Sequence, residues 1–375
     1  MSDQRKNEGG PDTTTGESSR NTTTGESSRN TATGESSRHT TGAQDDKTKS
    51  TGSGEGNGGG DDNNQNNNNN NNNYPPDGPA YLRNPPCVGR LAQRLPDIVR
   101  TANHPEVWGV NLIDGYHAPT VNILIKFLHA NDGDVDKAEK HLTTVLQWRR
   151  MLNPLHLANA LHNHYKFSGL GYLSDYICID GKRVIMTWIL YGEARDINAT
   201  LSNSNQFFEW FVALMELATH QLRIHQSSDV MDYNGPDPYK MLQVQDYRKL
   251  GSLRTYFGIR PFARWTVNTI ALVYPEMLTE RYFVNIPVTR GCNFRFFKVF
   301  RGKDTSRPFY PISDGANLAS KLPNSLQLQI PQIYGGKGQP LQGHAREVGL
   351  APPPATPVPN AYPTTPWGNR VIEGD

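Results

Sequence analysis

Cysteine and long apolar runs are the scarcest features of this sequence. The 375 residues include three cysteines, Cys87, Cys178 and Cys292, which lie far apart and form no Cys-x-x-Cys pair. This pattern argues against a disulfide framework and against a zinc site. No apolar run approaches the roughly 18 residues of a membrane-spanning helix, and the N-terminus lacks the apolar core of a secretion signal. We therefore expect a cytosolic protein whose contact with membranes is peripheral.

Sequence signals for covalent catalysis and for nucleic-acid binding are also missing. There is no Gly-x-Ser-x-Gly nucleophile elbow, and the glycine-rich stretch Gly52–Gly56 follows no predicted strand, so it does not qualify as a nucleotide-binding loop. Lysine and arginine are not clustered with aromatic residues, and the formal net charge is only +2. The sequence therefore favours neither an enzyme nor a nucleic-acid-binding protein.

Residues 1–73 form a low-complexity segment rich in Thr, Ser, Gly and Asn. It contains three near-identical nine-residue units, 13–21, 22–30 and 31–39, and ends in a run of asparagine. Without hydrophobic periodicity, apolar burial cannot offset an ordering entropy of roughly 1–2 kcal/mol per residue. Its 7 basic and 11 acidic residues give it a charge of about −4, which leaves about +6 on the rest of the chain. We predict a disordered tail, either without a specific role or with a role in phosphorylation or condensates.

A helical region, predicted over 91–165, follows a proline-rich linker predicted over 74–90. Two apolar stripes at helical spacing define it: Val121, Leu124, Ile125 and Leu128, and then Val135, Ala138, Leu142, Val145 and Leu146. Asp134 is placed to cap the second helix. Arg149 and Arg150 lie at the end of that helix, where cations complement the helix dipole. We interpret them as a solvated helix end in preference to a lipid contact.

The next part of the chain combines strands and helices. Tyr176–Ile179 and Arg183–Leu190 flank an Asp-Gly turn, which predicts a hairpin. Further on, a strand, a crossover helix and a second strand form a unit that implies parallel pairing. The remaining predicted elements are a helix over Phe207–Leu222, a strand over Met241–Tyr247, the crossover helix over Arg260–Tyr274, a strand over Arg281–Ile286 and a short strand near Phe309.

Gln245 and Tyr247 give the strand Met241–Tyr247 an unusual composition. They are two residues apart, so their side chains project from the same face of the sheet. A polar pair on one face of an apolar strand is typical of a cavity lining, although a hydrogen-bonded pair inside a core gives the same pattern. The phenylalanine-rich segment 294–300 is similarly ambiguous, since it suits either a helix that contacts lipid or an ordinary core helix.

A series of short motifs resembles the CRAL-TRIO family, from about Val121 to Lys337. In chain order they are Trp148–Arg150, Asn153–Leu155, Thr187–Gly192, Ala213–Glu216, Gln243–Arg248, Tyr274–Glu276, Arg281–Pro287 and Tyr334–Lys337. Within the family, the chain resembles the divergent haem-binding branch of fungal Sec-fourteen-type phosphatidylinositol transfer proteins. The resemblance implies an α/β fold in which a mixed, mainly parallel sheet over 166–337 is flanked by helices and encloses an apolar cavity. A flexible proline-rich tail is predicted over 338–375.

The resemblance implies a carrier that binds phosphatidylinositol or another phospholipid and exchanges it between membranes without covalent chemistry. Such a protein would dock peripherally at the endoplasmic reticulum or plasma membrane, and residues 294–300 occupy the position of the family's mobile gate. Glu276 matches the glutamate that helps to organise inositol binding, and Arg307 falls near the basic position suited to the phosphate. The basic residue that often ends the family's first conserved helix is replaced by the Asn131-Asp132 turn. A structural role at a helix end is an equal alternative for Glu276.

The same branch implies an alternative function, the binding of haem b by a protein linked to redox or oxidative stress. Tyr247 occupies the position of the tyrosine that ligates the iron. Tyr191 and Arg281 match flanking positions, and an arginine there is suited to a propionate or to lowering the pKa of the tyrosine. The departures are Gln245 for a histidine, Phe211 for an arginine and Asn131 for a tyrosine. The alternative for Tyr247 is a buried phenol with a hydrogen-bond partner, which is common in proteins. A third hypothesis is a membrane adaptor whose cavity is vestigial.

Overall fold

A five-stranded sheet forms the centre of this computed structural model, which describes residues 77–202, 204–249, 265–286 and 309–353. Two short strands, β1 Glu106–Val107 and β2 Val110–Asn111, form a separate ribbon. The five strands of the main sheet are β3 Gly171–Ile177, β4 Arg183–Leu190, β5 Met241–Asp246, β6 Leu278–Val284 and β7 Phe309–Ile312. The main sheet has the order β3-β4-β5-β6-β7. Strand β3 is antiparallel to β4 and the other neighbours are parallel, which confirms the predicted mixed, mainly parallel sheet.

Helices precede the sheet and connect its strands. They are α1 Pro86–Ala102, α2 Ala118–His129, α3 Val135–Leu152, α4 Pro154–Asn159, α5 His164–Phe167, α6 Ile197–Ser202, α7 Ser204–Gln221, α8, whose described part is 265–273, and α9 Asn324–Gln327. Asp134 caps α3 by accepting hydrogen bonds from the amides of Asp136 and Lys137, as its position in the sequence predicts. Helix α1 begins at Pro86, inside the stretch predicted as a linker.

Two apolar layers cover the sheet, one on each face. The first contains the buried side chains of α1, α2, α3, α7 and α8. The second is built by the short helical turns that follow β7, and it includes Leu318, Leu326, Ile330 and Tyr334. Because β5 has a strand on each side and a layer on each face, all six of its residues are buried. A polar residue in β5 must therefore find its partners inside the protein.

The segment after Lys337 differs from the predicted flexible tail as far as Pro353. Leu341 and Val348 are buried, and they hold the segment against the rest of the molecule. Its backbone pairs with the edge strand β3, since the amide of Leu173 donates to the carbonyl of Arg346 at 2.7 Å and the reverse bond is 2.9 Å. The prediction of a flexible tail was therefore wrong for residues 338–353. Although this segment is rich in glycine and proline, burial of Leu341 and Val348 and pairing with the free edge of β3 hold it in place.

Arg149 also contradicts the sequence analysis, because it is not at a solvated helix end. Its side chain is fully buried, whereas that of Arg150 is exposed. The guanidinium donates to Glu216 at 2.7 Å and to Glu106 at 2.9 Å, so two carboxylates compensate the buried charge. A local pattern places a cation at the helix end, but it does not reveal acidic partners that are distant in sequence.

Several predictions lie outside the described residues. These are the N-terminal tail 1–73, the start of the linker and of the crossover helix, the phenylalanine-rich segment 294–300, Arg307, and the part of the C-terminal tail beyond Pro353.

Candidate functional site

A ladder of buried polar side chains runs along β5 on the face that packs against α7. The Gln245 amide donates to Gln243 Oε1 at 3.0 Å, and the Gln243 amide donates to Thr187 Oγ1 at 3.4 Å. Gln243 Nε2 also lies 3.8 Å from the sulfur of Met215, which shows that this face looks towards α7. These bonds satisfy amide groups that would otherwise be costly to bury among apolar residues.

Two tyrosines extend this ladder at the carboxyl end of β5. The Tyr247 hydroxyl donates to Gln245 Oε1 at 2.9 Å, and the Tyr191 hydroxyl lies 3.5 Å from the same oxygen. The two phenol rings are 5.1 Å apart, and the Phe283 ring is 6.2 Å from that of Tyr247. Burial raises the pKa of Tyr191 well above its usual value, so this phenol is neutral at physiological pH.

The structure brings the four residues predicted as a haem-type set onto one face of the sheet. Gln245 and Tyr247 are in direct contact, and Tyr191 lies beside them at the end of β4. Arg281 stands on β6 in register with Gln243, and paired residues of neighbouring strands point to the same face. We call Thr187, Tyr191, Gln243, Gln245 and Tyr247 the polar ladder.

Two departures from the haem-binding branch, Asn131 for a tyrosine and Phe211 for an arginine, have structural roles in this chain. The Asn131 side chain donates to the carbonyl of Phe127 at 2.7 Å and contacts His141 at 2.9 Å, so it closes the turn after α2. Phe211 is buried in α7, with its ring 6.2 Å from that of Phe207.

The opposite face of β5 carries a second polar network that the sequence analysis missed. Asp246 is buried, and its carboxylate accepts the Tyr334 hydroxyl at 2.6 Å and the Asn285 amide at 2.7 Å. Arg248 donates to Asp246 at 3.0 Å and stacks over the Tyr334 ring at 5.6 Å. Burial, followed by the negative charge of Asp246, raises the pKa of Tyr334. The sequence signal was an aspartate within a strand that is otherwise buried, since a carboxylate there requires nearby donors.

A cavity of about 440 Å³ lies beside this second network. Its walls include Leu190, Arg248, Ile333, Tyr334 and Leu341. The charged groups at its wall already have partners, because Arg248 pairs with Asp246 and Glu193 pairs with Lys249, each at 3.0 Å. We therefore regard it as part of the structural network on the reverse face.

Glu276 lies near the opposite end of the sheet from the tyrosines of the ladder. It precedes β6 and has a left-handed backbone conformation, with φ of 56°. Its carboxylate forms an ion pair with Lys240 at 2.9 Å, and its carbonyl accepts a hydrogen bond from Lys126 at 3.0 Å. These contacts give Glu276 a structural role at the turn between α8 and β6, which is the alternative that the sequence left open.

Lys126 is a buried cation that the sequence analysis did not single out. Its ammonium donates to Asp237 at 2.6 Å and to the carbonyls of Tyr239 and Glu276 at 2.8 and 3.0 Å, respectively. Burial lowers the pKa of Lys126 to about 8, although the negative charge of Asp237 opposes this effect. A lysine in the middle of the apolar run of α2 was the available signal, since such a residue is buried only with partners.

We expect the unfolding free energy to rise between pH 8 and pH 10.5 because of Lys126. In this window the folded state has lost the proton, with a pKa of about 8, while the unfolded state keeps it up to its usual value of 10.5. The state that binds fewer protons gains stability as the pH rises, and the difference corresponds to about 3 kcal/mol. Urea unfolding across this range should show the rise in the wild type and not in Lys126→Met. Parallel pH profiles for the two proteins would contradict this assignment.

Two other kinds of site are absent from the described residues. No group of three or more histidine, cysteine, aspartate or glutamate side chains there is arranged to hold a metal ion. Among the same residues, no helix has both the length and the apolar composition needed to cross a membrane.

The comparisons with known proteins agree on one family, although no protein-family model matches the chain. The phosphatidylinositol transfer protein sfh5 of Aspergillus oryzae is 44% identical over 286 residues, which are 75% of this chain and 63% of that protein. The protein of the same name from Neosartorya fischeri is 45% identical over 284 residues, covering 76% of this chain and 68% of the relative. The chain thus spans about two thirds of the length of these relatives.

A solved structure, the crystal structure of Sfh5, has the same fold. It aligns with a TM-score of 0.56 at 23% identity, over 71% of this chain and 91% of that one. The level of identity to the fungal relatives and the mixed sheet with its helical layers lead to the same assignment. The chain belongs to the Sfh5 family, within the Sec-fourteen-like CRAL-TRIO proteins.

Proposed function

We propose that this protein binds phosphatidylinositol and exchanges it between membranes. The main support for the proposal is a sequence identity of about 45%, over three quarters of the chain, to relatives that are each named phosphatidylinositol transfer proteins. These relatives are named as carriers and not as enzymes. The physical requirement is that the acyl chains stay out of water, since their exposure costs about 0.8 kcal/mol per CH₂ group.

The face of the sheet that packs against α7 has a composition that suits a carrier, because a few polar groups lie among apolar side chains. Phe211, Val212 and Met215 are buried on α7, and Phe283 is buried on β6. Next to them, the amide and hydroxyl groups of the polar ladder are held in place by their hydrogen bonds to one another. Sites that bind amphipathic ligands combine apolar side chains with a few such fixed polar groups.

The headgroup assignment can be tested through Glu276 and Arg307. If the carboxylate organises the inositol ring and the arginine binds the phosphate, Glu276→Gln and Arg307→Ala should each slow phosphatidylinositol transfer between vesicles by about tenfold or more. Transfer of phosphatidylcholine should change less, because it lacks the inositol ring. The measurement is transfer of fluorescent lipid from donor to acceptor vesicles.

Glu193→Gln is the matched control for the glutamate variant. Glu193 pairs with Lys249 at 3.0 Å much as Glu276 pairs with Lys240 at 2.9 Å, but it lines the cavity on the reverse face. Its substitution should leave transfer unchanged. Because Glu276 also has a structural role, unfolding curves must accompany the assay. Normal transfer by both Glu276→Gln and Arg307→Ala would show that the two headgroup roles are misassigned.

Haem binding is a second candidate, favoured by the contact between the phenols of Tyr191 and Tyr247. A phenolate oxygen is an accepted axial ligand of haem iron, so the residues present fit the group in this respect. Tyr247 would ligate the iron, Gln245 and Tyr191 would hydrogen-bond near it, and Arg281 would bind a propionate. Haem would supply a coloured, redox-active iron. Gln245 accepts the hydrogen bond of Tyr247 at 2.9 Å, but it lacks the imidazole that the branch has at this position.

Absorbance distinguishes the two candidates. If haem is bound, the protein purified from haem-supplemented cells should show a Soret band, and Tyr247→Phe should remove most of it because the axial ligand is lost. Tyr334→Phe removes a phenol on the opposite face of the sheet and should keep the band. A colourless wild type from which phospholipid can be extracted would reject the haem candidate and support the carrier.

A further inference from the structure

Large apolar side chains are exposed around the short helices α4 and α5. Within residues 151–165, the relative exposures are 45% for Met151, 37% for Leu155, 67% for Leu161 and 50% for Tyr165. Single exposed apolar residues are common on soluble proteins, but four of them within fifteen positions form an unusual concentration.

The backbone beneath these residues is firmly anchored, so their exposure follows from the fold. The ring of Phe167 stacks on that of Trp210 of α7 at 5.3 Å. The amide of His162 donates to the carbonyl of Gly349, and the carbonyl of His162 accepts from the amide of Ala351, each at 2.8 Å. Inward-facing residues therefore lie next to the exposed ones, and Leu161 and Tyr165 cannot turn inwards without breaking these contacts.

Basic residues accompany the apolar ones. Arg150 is exposed just before Met151, and the guanidinium of Arg195 stacks over the Tyr165 ring at 5.5 Å. No acidic residue occurs between positions 150 and 167. The neighbouring Asp196 accepts the amide of Ala199 at 3.0 Å and so serves as a local cap. We call Arg150, Met151, Leu155, Leu161, Tyr165 and Arg195 the amphipathic edge.

We propose that the amphipathic edge docks on an anionic lipid bilayer. Leucine and methionine side chains can enter the outer part of the acyl layer, and tyrosine favours the level of the headgroups. Arginine is attracted to anionic headgroups at the surface. The inference rests on the proposed lipid transfer, because a carrier must reach a bilayer to exchange its ligand, and it assigns the contact to residues outside the lipid-binding face of the sheet.

Co-sedimentation of the full chain with vesicles tests the docking surface. Wild type should bind equimolar phosphatidylserine–phosphatidylcholine vesicles more strongly than pure phosphatidylcholine vesicles, and added salt should weaken the binding. The double variant Leu161→Ser/Tyr165→Ser should lower the partition coefficient by about tenfold or more. The matched control is Ile177→Ser/Ile179→Ser at the tip of the β3–β4 hairpin, where the two residues are 67% and 84% exposed. The control should bind vesicles like the wild type.

Two outcomes would overturn the proposal. One is unchanged vesicle binding in the Leu161/Tyr165 variant, or an equal loss in the hairpin control. The other is a dimer of the wild type in analytical ultracentrifugation that the Leu161/Tyr165 variant abolishes, since a second copy would then cover this edge.

Extraction of bound lipid followed by mass spectrometry separates this inference from the proposed function. A variant that keeps its phospholipid but no longer binds vesicles supports the docking surface. A wild type that docks through this edge but contains no phospholipid would leave the docking surface standing and refute the carrier.

Discussion

Replacing Arg149 with methionine is expected to lower the free energy of unfolding by about 3–5 kcal/mol. The arginine is fully buried between Glu106 and Glu216, and the Tyr274 hydroxyl donates to Glu216 at 2.6 Å. Methionine fills a similar volume but leaves two carboxylates close together without a cation. Urea unfolding followed by circular dichroism measures the change.

Arg150→Met is the matched control, because it makes the same substitution at the next position of the same helix. The Arg150 side chain is exposed, so its loss should change the unfolding free energy by less than about 0.5 kcal/mol. Similar losses of unfolding free energy in the two variants would mean that the buried ion pairs of Arg149 contribute no more to stability than an exposed arginine does.

Gly335→Ala should destabilise the protein by about 2–5 kcal/mol, for two additive reasons. Gly335 has φ of 80°, a left-handed conformation that disfavours residues with a Cβ atom. In addition, a Cβ atom at this position would lie 1.9 Å from the carbonyl oxygen of Ala316. The turn that contains Gly335 also holds Tyr334 against Asp246, so the variant should loosen the reverse face of the sheet. Thermal or urea unfolding measures the loss.

Gly343→Ala separates the two contributions. Gly343 has φ of 79°, but a Cβ atom there would meet nothing within 4 Å among the described residues. Its substitution should cost only the conformational part, about 1–2 kcal/mol. If Gly335→Ala were no worse than Gly343→Ala, the close approach to Ala316 would have no energetic consequence.

Sequence patterns predicted well those elements whose determinants are local. Helix α3 starts at Val135 because the Asp134 carboxylate accepts hydrogen bonds from the free amides of Asp136 and Lys137. The capping residue and the amides that it binds lie within four consecutive residues. The Asp-Gly turn likewise predicted the hairpin and its second strand, but the first strand, predicted over Tyr176–Ile179, runs over Gly171–Ile177. Strand β6 was harder to delimit, because it begins at Leu278 and not at Arg281. Its first part is not markedly apolar, and pairing of Leu278 with Met241 decides where the strand starts.

The candidate site was predicted only in part. The spacing of Gln245 and Tyr247 placed both side chains on one face, and the structure joins them by a hydrogen bond of 2.9 Å. Tyr191 entered through a family resemblance alone, since its position beside Gln245 depends on the pairing of β4 with β5. The buried Lys126 and the Asp246–Tyr334 pair were missed because their partners come from distant parts of the chain.

The order of residues was enough to predict the cap of α3, the helical stripes, the parallel β-α-β unit and the family, because each depends on neighbouring residues or on the order of motifs. The packing of the layers, by contrast, determines which charges are buried, that residues 338–353 pack on β3, and which apolar residues remain exposed around α4 and α5. Arg149 makes the physical reason clear: its two carboxylate partners are 43 and 67 residues away in the chain. Contacts of this range form when the layers assemble, and the cost of burying a group depends on them.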